Sequence, residues 1–494
     1  AVRGNLAGGG ALAVPTSTKR NLLLGIITLV ILFVGAEVAL RLFVRLTTDY
    51  VSRRDDVNYE YRLWQMHLFD SFMGMQEPDP DLFWKLKPGY RSSFVYVDSE
   101  GFSGPEIRSR QPNEYRILFL GDSTPFGLGL AKSVDSFVWK VRALLQREMT
   151  NREVVVINGS VAGYTSWQCR KLLELRGDQL QPDLVITYFG NNDPSYNGYL
   201  SDRQLYDMTR HYGWLNRLLG RSYSYQLLKN LVLRLRETTQ AAGEVKERVS
   251  VMEYRQNLAA VKDWCDKHDC RLLACTIPTP DFWPPGIQFK VFAGGRDTEG
   301  RLVMADAMQR NLAEPWDLCL DTLLLPGTSD QWTRYVYAAD LYDTTAPVVS
   351  EQLCRQQLAV APDDPRLLNN LAASLWRQGL DSAQYLLTAI DRDSLNATLW
   401  YNLGVELYHR DSAEAFRCLR RAKELDHYSL RIKAGYNETL RNFCHSNGVS
   451  LIDLDSLFRG LPEREYFVDH CHPTSLGHTL MARQIVSSIA GILR

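Results

Sequence analysis

The 494-residue chain lacks any excess of charge of one sign: 56 Lys and Arg stand against 57 Asp and Glu, a formal net charge of −1. A nucleic-acid partner is therefore not indicated, because neutralising several phosphates needs a concentrated basic surface and no long basic run supplies one. The chain also lacks paired cysteines. Its nine (Cys169, Cys265, Cys270, Cys275, Cys319, Cys354, Cys418, Cys444 and Cys471) are scattered without a CxxC pair. That pattern indicates neither a small disulfide scaffold nor a zinc ribbon. Cys265, Cys270 and Cys275 recur every five residues, but the spacing carries them from an expected helix through a turn into a strand, so they read as buried thiols. One disulfide in an oxidising compartment stays open. An apolar share of 45% fits packed structure rather than disorder, and the length allows two or three domains.

One long hydrophobic run is present, residues 22–40, LLLGIITLVILFVGAEVAL. At a rise of about 1.5 Å per residue it approaches the roughly 30 Å of bilayer hydrocarbon, and a single-pass anchor is expected. The competing reading is a cleaved signal peptide, since Val34-Gly35-Ala36 offers the small residues a signal peptidase accepts. Glu37 interrupts the run about one turn from its far end, where a carboxylate reaches the headgroups. Arg3, Lys19 and Arg20 precede the run while Arg41, Arg45, Arg53 and Arg54 follow it, so the positive-inside count does not set the orientation. The expected organisation is an N-terminal tail (1–20), an anchor (21–46), a juxtamembrane pre-domain (47–114) with one hairpin strand at 94–97, a core in two parts (115–280 and 430–494) and an insertion (281–429).

The core reads as α/β. Residues 116–120, RILFL, form a short apolar run broken by Gly121-Asp122-Ser123, the pattern of a buried parallel strand ending in a turn. Ser123 then lies at the strand's carboxyl end, the rim where open α/β sheets bind ligands. The plainer alternative is an Asp/Ser turn that caps the next helix. A helix at 134–146 and a strand at 154–157 follow, then a loop of small residues in which Gly163 either offers an open backbone N–H or serves only as a turn glycine. Residues 184–188, LVITY, form a third strand, ending in Phe189-Gly190-Asn191-Asn192-Asp193. Asn192 there either aims an amide N–H at an oxyanion or makes an Asx turn. Residues 201–247 read as a helical, partly basic excursion, 254–268 as an amphipathic helix and 271–276 as a fourth strand.

The α/β pattern then stops. Residues 367–390 and 399–422 are self-similar at an offset of thirty-two, with Ala372 or Gly404 at a close helix crossing and Ala383 or Ala415 in the second helix. This resembles tetratricopeptide repeats, and 349–361 fits the second helix of an incomplete earlier repeat. Such helices either leave a groove for a protein partner or cover an exposed core face. A helix at 430–446, a strand at 450–453 and a closing helix at 480–493 complete the pattern. Between the last two lies Asp469-His470-Cys471-His472-Pro473. An Asp three residues before a His can share its loop, fix its tautomer and let it face Ser123. His470, Cys471 and His472 give a weak metal pattern that no separate ligand cluster completes.

Gly121-Asp122-Ser123, Gly163, Gly190-Asn191-Asn192-Asp193 and Asp469-His470-Cys471-His472 resemble, in order, the four signature blocks of the SGNH/GDSL hydrolase superfamily. With the anchor and insertion, the chain also looks like bacterial membrane-anchored members, although Asp98-Ser99-Glu100-Gly101-Phe102-Ser103-Gly104 departs twice from their Asn-Ser-x-Gly-Phe-Arg-Gly pattern. The resemblance implies a flavodoxin-like three-layer αβα sandwich of strand order 2-1-3-4-5. It implies Ser123, His472 and Asp469 as catalytic residues, an oxyanion hole from Ser123, Gly163 and Asn192, and neither cofactor nor metal. The expected function is an esterase or acyl hydrolase on the outer side of a bacterial inner membrane, acting on ester-bearing substrates such as acylated glycans. An O-acyltransferase using the same site, and a scaffold recruiting a membrane assembly through the helical repeats, stand as alternatives.

Overall fold

The computed structural model describes residues 16–52, 75–149, 152–195, 200–210, 213, 218–220, 222–239, 246–280, 294–296, 302–304, 347–359, 361–426 and 431–493. Cys319, the first fifteen residues of the expected tail, most of the pre-domain's first half and much of the insertion's first half lie outside them. Helix α1, Thr16–Ser52, contains an apolar stretch, Leu23–Phe43, long enough to cross a membrane, with mean hydropathy 2.6 and no part of it buried in the protein. A two-stranded antiparallel hairpin follows, β1 (Gln76–Asp79) and β2 (Phe83–Leu86). This corrects the expected hairpin strand at 94–97. Tyr96 and Val97 there make isolated bridges, to Arg91 and Ser103, while the ladder forms earlier in the chain, around the turn signal at Pro78-Asp79-Pro80. Asp79 caps that turn by accepting the Asp81 and Leu82 amides, each at 2.9 Å.

The centre is a five-stranded parallel sheet. Its strands are β3 (Glu114–Gly121), β4 (Glu153–Asn158), β5 (Leu184–Tyr188), β6 (Arg271–Cys275) and β7 (Ser450–Ile452), in spatial order β4-β3-β5-β6-β7. That is the order 2-1-3-4-5 expected from the SGNH/GDSL resemblance. Every residue of β3 and β5 is buried, as continuous apolar strands covered on both faces require.

The helices divide by face. Connections between parallel strands are right-handed, so the reversal of direction after β4 sends its neighbouring crossovers to opposite sides. After the short helix α2 (Ser123–Phe126), helix α3 (Phe137–Glu148) packs with the closing helix Ser475–Leu493. Helix α4 (Ser166–Leu180) packs on the other side with Val251–Lys267, which in turn meets Ala434–Asn447. The excursion after β5 carries α5 (Asp202–Thr209) and α6 (Tyr223–Thr239) before α7, the helix Val251–Lys267. The closing helix begins at Ser475, five residues before the expected start, because Thr474 accepts the Gly477 amide at 3.3 Å at its head.

Between β6 and β7 the structure describes α8 (Pro347–Leu358), α9 (Pro365–Arg377), α10 (Ala383–Arg392), α11 (Ala397–Leu407) and α12 (Ser412–Leu425), each packing on the next. They enclose their own apolar cluster around Ala372, Leu386, Leu399 and Leu419. At the α11–α12 crossing, a Cβ on Gly404 would stand 2.7 Å from Leu419 Cγ, so the small residue there permits the close approach. All eight described cysteines are buried and unbridged.

Candidate active site

The carboxyl ends of β3, β4 and β5 lie side by side, and the loops leaving them are tied together. Asp122 is the N-cap of α2, its carboxylate accepting the Thr124 amide at 3.0 Å, which sets Ser123 as the first residue of the helix. The capping alternative read from the sequence thus holds, and it is the same device that presents the serine. Ser123 has no helical acceptor for its own N–H at that position. Burial pushes the Asp122 carboxyl up to about 6, against the pull of the Thr124 amide and of charge on His472.

His472 sits on the loop before the closing helix, and its Nε2 lies 2.8 Å from Ser123 Oγ. The loop is held in shape by Val468 donating its amide to the His472 carbonyl at 2.9 Å and by the Phe467–Pro473 bridge. Asp469 organises it further. Its Oδ1 accepts the backbone amides of Cys471 at 2.9 Å and His472 at 2.7 Å, while Oδ2 lies 2.5 Å from His472 Nδ1. Burial opposes ionisation of Asp469, but the His472 hydrogen bond, neighbouring imidazole charge and the Cys471 amide outweigh it and hold the carboxyl well below its usual range. Ser123, His472 and Asp469 therefore form one hydrogen-bonded chain.

The loop after β4 approaches the same rim. Val161 donates its amide to the Gly121 carbonyl at 3.2 Å, and two residues on Gly163 takes φ +83°, a conformation that costs a side-chain-bearing residue about 1–2 kcal/mol. No acceptor for the Gly163 N–H is found among the described residues. Asn192, after β5, donates from Nδ2 to the Tyr164 carbonyl at 2.9 Å, joining the β4 and β5 loops. Gly163 and Asn192 thus share one loop cluster, which the Val161 amide ties to Gly121, two residues before Ser123.

Several residues that hold this cluster left no trace in the sequence pattern. Arg248 donates to the Gly163 carbonyl at 2.9 Å, to Gln168 at 2.9 Å and to both carboxylate oxygens of Asp202. Gln76 and Trp84 of the hairpin both donate to the Ala162 carbonyl at 3.2 Å, and Tyr164 donates its hydroxyl to the Trp84 carbonyl at 2.8 Å. The hairpin of the pre-domain thereby clamps the loop bearing Gly163. A lone arginine before a helix cap and a tryptophan in a turn-rich stretch give no local signal of such a role. His478, part of the histidine-rich stretch, is structural: its Nδ1 accepts the Phe137 amide at 3.0 Å at the head of α3, and burial pushes its pKa down to about 3, so it stays neutral.

The ligand atoms of Asp469, Cys471 and His472 lie within 4.8 Å of one another. Nδ1 of His472 is committed to Asp469, and burial holds the Cys471 thiol well above its usual range and therefore protonated. As arranged, these donors suit a proton-transfer chain better than a metal.

No protein-family profile matches the chain, and no curated protein matches it. Among solved structures it is similar to a lipase/acylhydrolase from Enterococcus faecalis, at 13% identity and TM-score 0.32, over 76% of this chain and 96% of that one. It is also similar to a GDSL-like lipase from Bacteroides thetaiotaomicron, at 10% identity and TM-score 0.31, over 78% and 93% of the two chains. A third is the acetyl xylan esterase AlAXEase, at 10% identity and TM-score 0.30, over 76% and 99%. These likenesses are distant, and the strand order and layers described above define the fold without them.

Proposed function

We propose that the chain is a serine acyl-transfer enzyme, and more particularly a membrane-anchored esterase of the SGNH/GDSL type. The observation that carries this reading is the chain Ser123 Oγ, His472 Nε2, His472 Nδ1, Asp469 Oδ2 at the carboxyl rim of a parallel sheet. His472 takes the Ser123 hydroxyl proton as Oγ attacks an ester carbonyl carbon. The oxyanion forms beside the Ser123 and Gly163 amides and the second amide proton of Asn192. Collapse breaks the acyl C–O bond, and the imidazolium gives its proton to the departing alcohol. Water, deprotonated by His472, then releases the acid and restores the serine. Asp469 orients the ring throughout. The apolar stretch Leu23–Phe43 supports anchoring, and ester-bearing molecules at the membrane surface, acylated glycans among them, are the proposed substrates.

A fluorophosphonate probe tests the reading without assuming a substrate. Wild type is expected to label stoichiometrically and Ser123→Ala to lose the label. A folded wild type that does not label overturns it. Asn192→Ala is expected to remain folded while kcat falls by about 10² to 10³, the usual loss of one oxyanion donor. Wild-type turnover in that variant would remove Asn192 from the hole.

A further inference from the structure

Helix α6 carries an apolar face that packs on nothing among the described residues. Leu228, Leu231 and Val232 are spaced i, i+3, i+4, which places them on one side of the helix. All three are exposed, at 57%, 50% and 42%, and Leu218 just upstream is exposed at 71%. Gln226, by contrast, is buried. Such a stripe in a chain this size is a contact surface in search of its solvent.

What covers it is indicated by where α6 begins. Glu37 of α1 accepts the Ser222 hydroxyl at 2.7 Å and the backbone amides of Tyr223 at 3.2 Å and Ser224 at 2.9 Å. A carboxylate from one helix thus caps the N-terminus of the other, where free amides and the helix dipole favour negative charge. Arg41 closes the joint, donating to Glu37 at 2.7 Å and lying over the Tyr223 ring at 5.4 Å. Glu37 lies inside the apolar stretch that ends at Phe43. Arg41, one turn further on and about 6 Å along the axis, carries a charge that seeks the headgroup layer, and it reaches back to Glu37 from there. The head of α6 is therefore pinned to α1 at the depth where hydrocarbon gives way to headgroups.

We propose that α6 is an interfacial helix that lies on the lipid surface, its Leu228, Leu231 and Val232 face seated at the headgroup–acyl boundary. It gives the core a second attachment beside α1 and, through the Glu37 joint, fixes the angle between the two. This rests on the anchoring reading of α1, and the experiment separates the two.

A photoreactive benzoylphenylalanine is placed singly at position 231, at position 29 on α1, where Leu29 is 68% exposed, or at position 395, where Leu395 is equally exposed but lies between α10 and α11. The full chain is reconstituted into phosphatidylethanolamine–phosphatidylglycerol vesicles, irradiated and weighed by mass spectrometry. The expected result is a gain of one phospholipid mass at 29 and 231 and none at 395. An adduct at 29 with none at 231, or a crosslinked dimer at 231, overturns the interfacial helix and leaves the anchor standing. An adduct at 231 without one at 29 supports the interfacial helix and overturns the span. Absence at both overturns both, and equal adducts at 395 overturn the assignment as non-specific.

Discussion

Asp469→Asn is expected to lower turnover by about 10⁴-fold while the protein stays folded, an effect of the size that follows when a catalytic histidine is held in the wrong tautomer. The reason lies in the two faces of the carboxylate. Oδ1 accepts two backbone amides, from Cys471 and His472, and only an oxygen can serve there. An asparagine must therefore keep its carbonyl on that side and turn its NH2 towards His472 Nδ1. The ring is then forced to accept at Nδ1 and to carry its proton on Nε2, the nitrogen that faces Ser123 Oγ at 2.8 Å. Such a ring cannot take the serine proton. Turnover of a small chromogenic ester checks the expectation, with circular dichroism reporting the fold. Activity within tenfold of wild type would show that Asp469 shapes the loop without orienting the imidazole.

Arg116→Met is expected to have the largest effect on stability, a loss of about 3–5 kcal/mol, the usual result of removing one partner from a buried ion pair. Arg116 lies inside β3 with its side chain 2% exposed, against Glu114 at 1%. Nε donates to the Glu114 carboxylate at 2.8 Å, Nη1 to the Leu180 carbonyl at 3.0 Å and Nη2 to the Arg108 carbonyl at 2.8 Å. The fork thus satisfies a carboxylate and two carbonyls at the amino end of the sheet, opposite the rim that carries Ser123. Methionine fills much of the volume but leaves Glu114 charged in a dry site, facing the Gln111 amide and the exposed Arg108 guanidinium 3.5 Å away. Urea denaturation in detergent micelles measures the loss. The double variant Arg116→Met, Glu114→Leu is expected to recover the part due to the stranded charge, leaving the smaller cost of the Leu180 and Arg108 carbonyls without their donor. A single variant within 1 kcal/mol of wild type would mean the pair contributes little.

The chemical direction of the site is also read from these interactions. Asp469 stays ionised because a histidine ring and backbone amides face it, whereas Asp122, one residue from the serine, is raised to about 6 by burial. Two carboxyls in one loop cluster thus differ in acidity through their surroundings alone.

The amino-acid sequence by itself determined the strands and the order of the loops that follow them. β5 occupies the residues expected, and β3, β4, β6 and β7 lie within a few residues of expectation, because short apolar runs bounded by glycine and short polar residues are buried strands by local rule. The right-handed crossover then leaves few ways to order them. Ser123, Gly163 and Asn192 stood out as candidates because each lies in a loop that follows such a run, whereas Asp469 and His472 were marked by their mutual spacing and by the resemblance to the SGNH/GDSL signature blocks. Only the tertiary structure decided what those residues meet. Ser123 and His472 are separated by 349 positions, and their contact exists because β3 and the closing helix share one end of the sheet. The full burial of Arg116, the grip of Arg248 on Gly163, the hairpin's hold on Ala162 and the capping of α6 by Glu37 are likewise decided by packing. A charged or polar group enters the interior where hydrogen-bond partners offset its desolvation, and partners such as Leu180 for Arg116 or Gly163 for Arg248 lie far along the chain, beyond the reach of any local pattern.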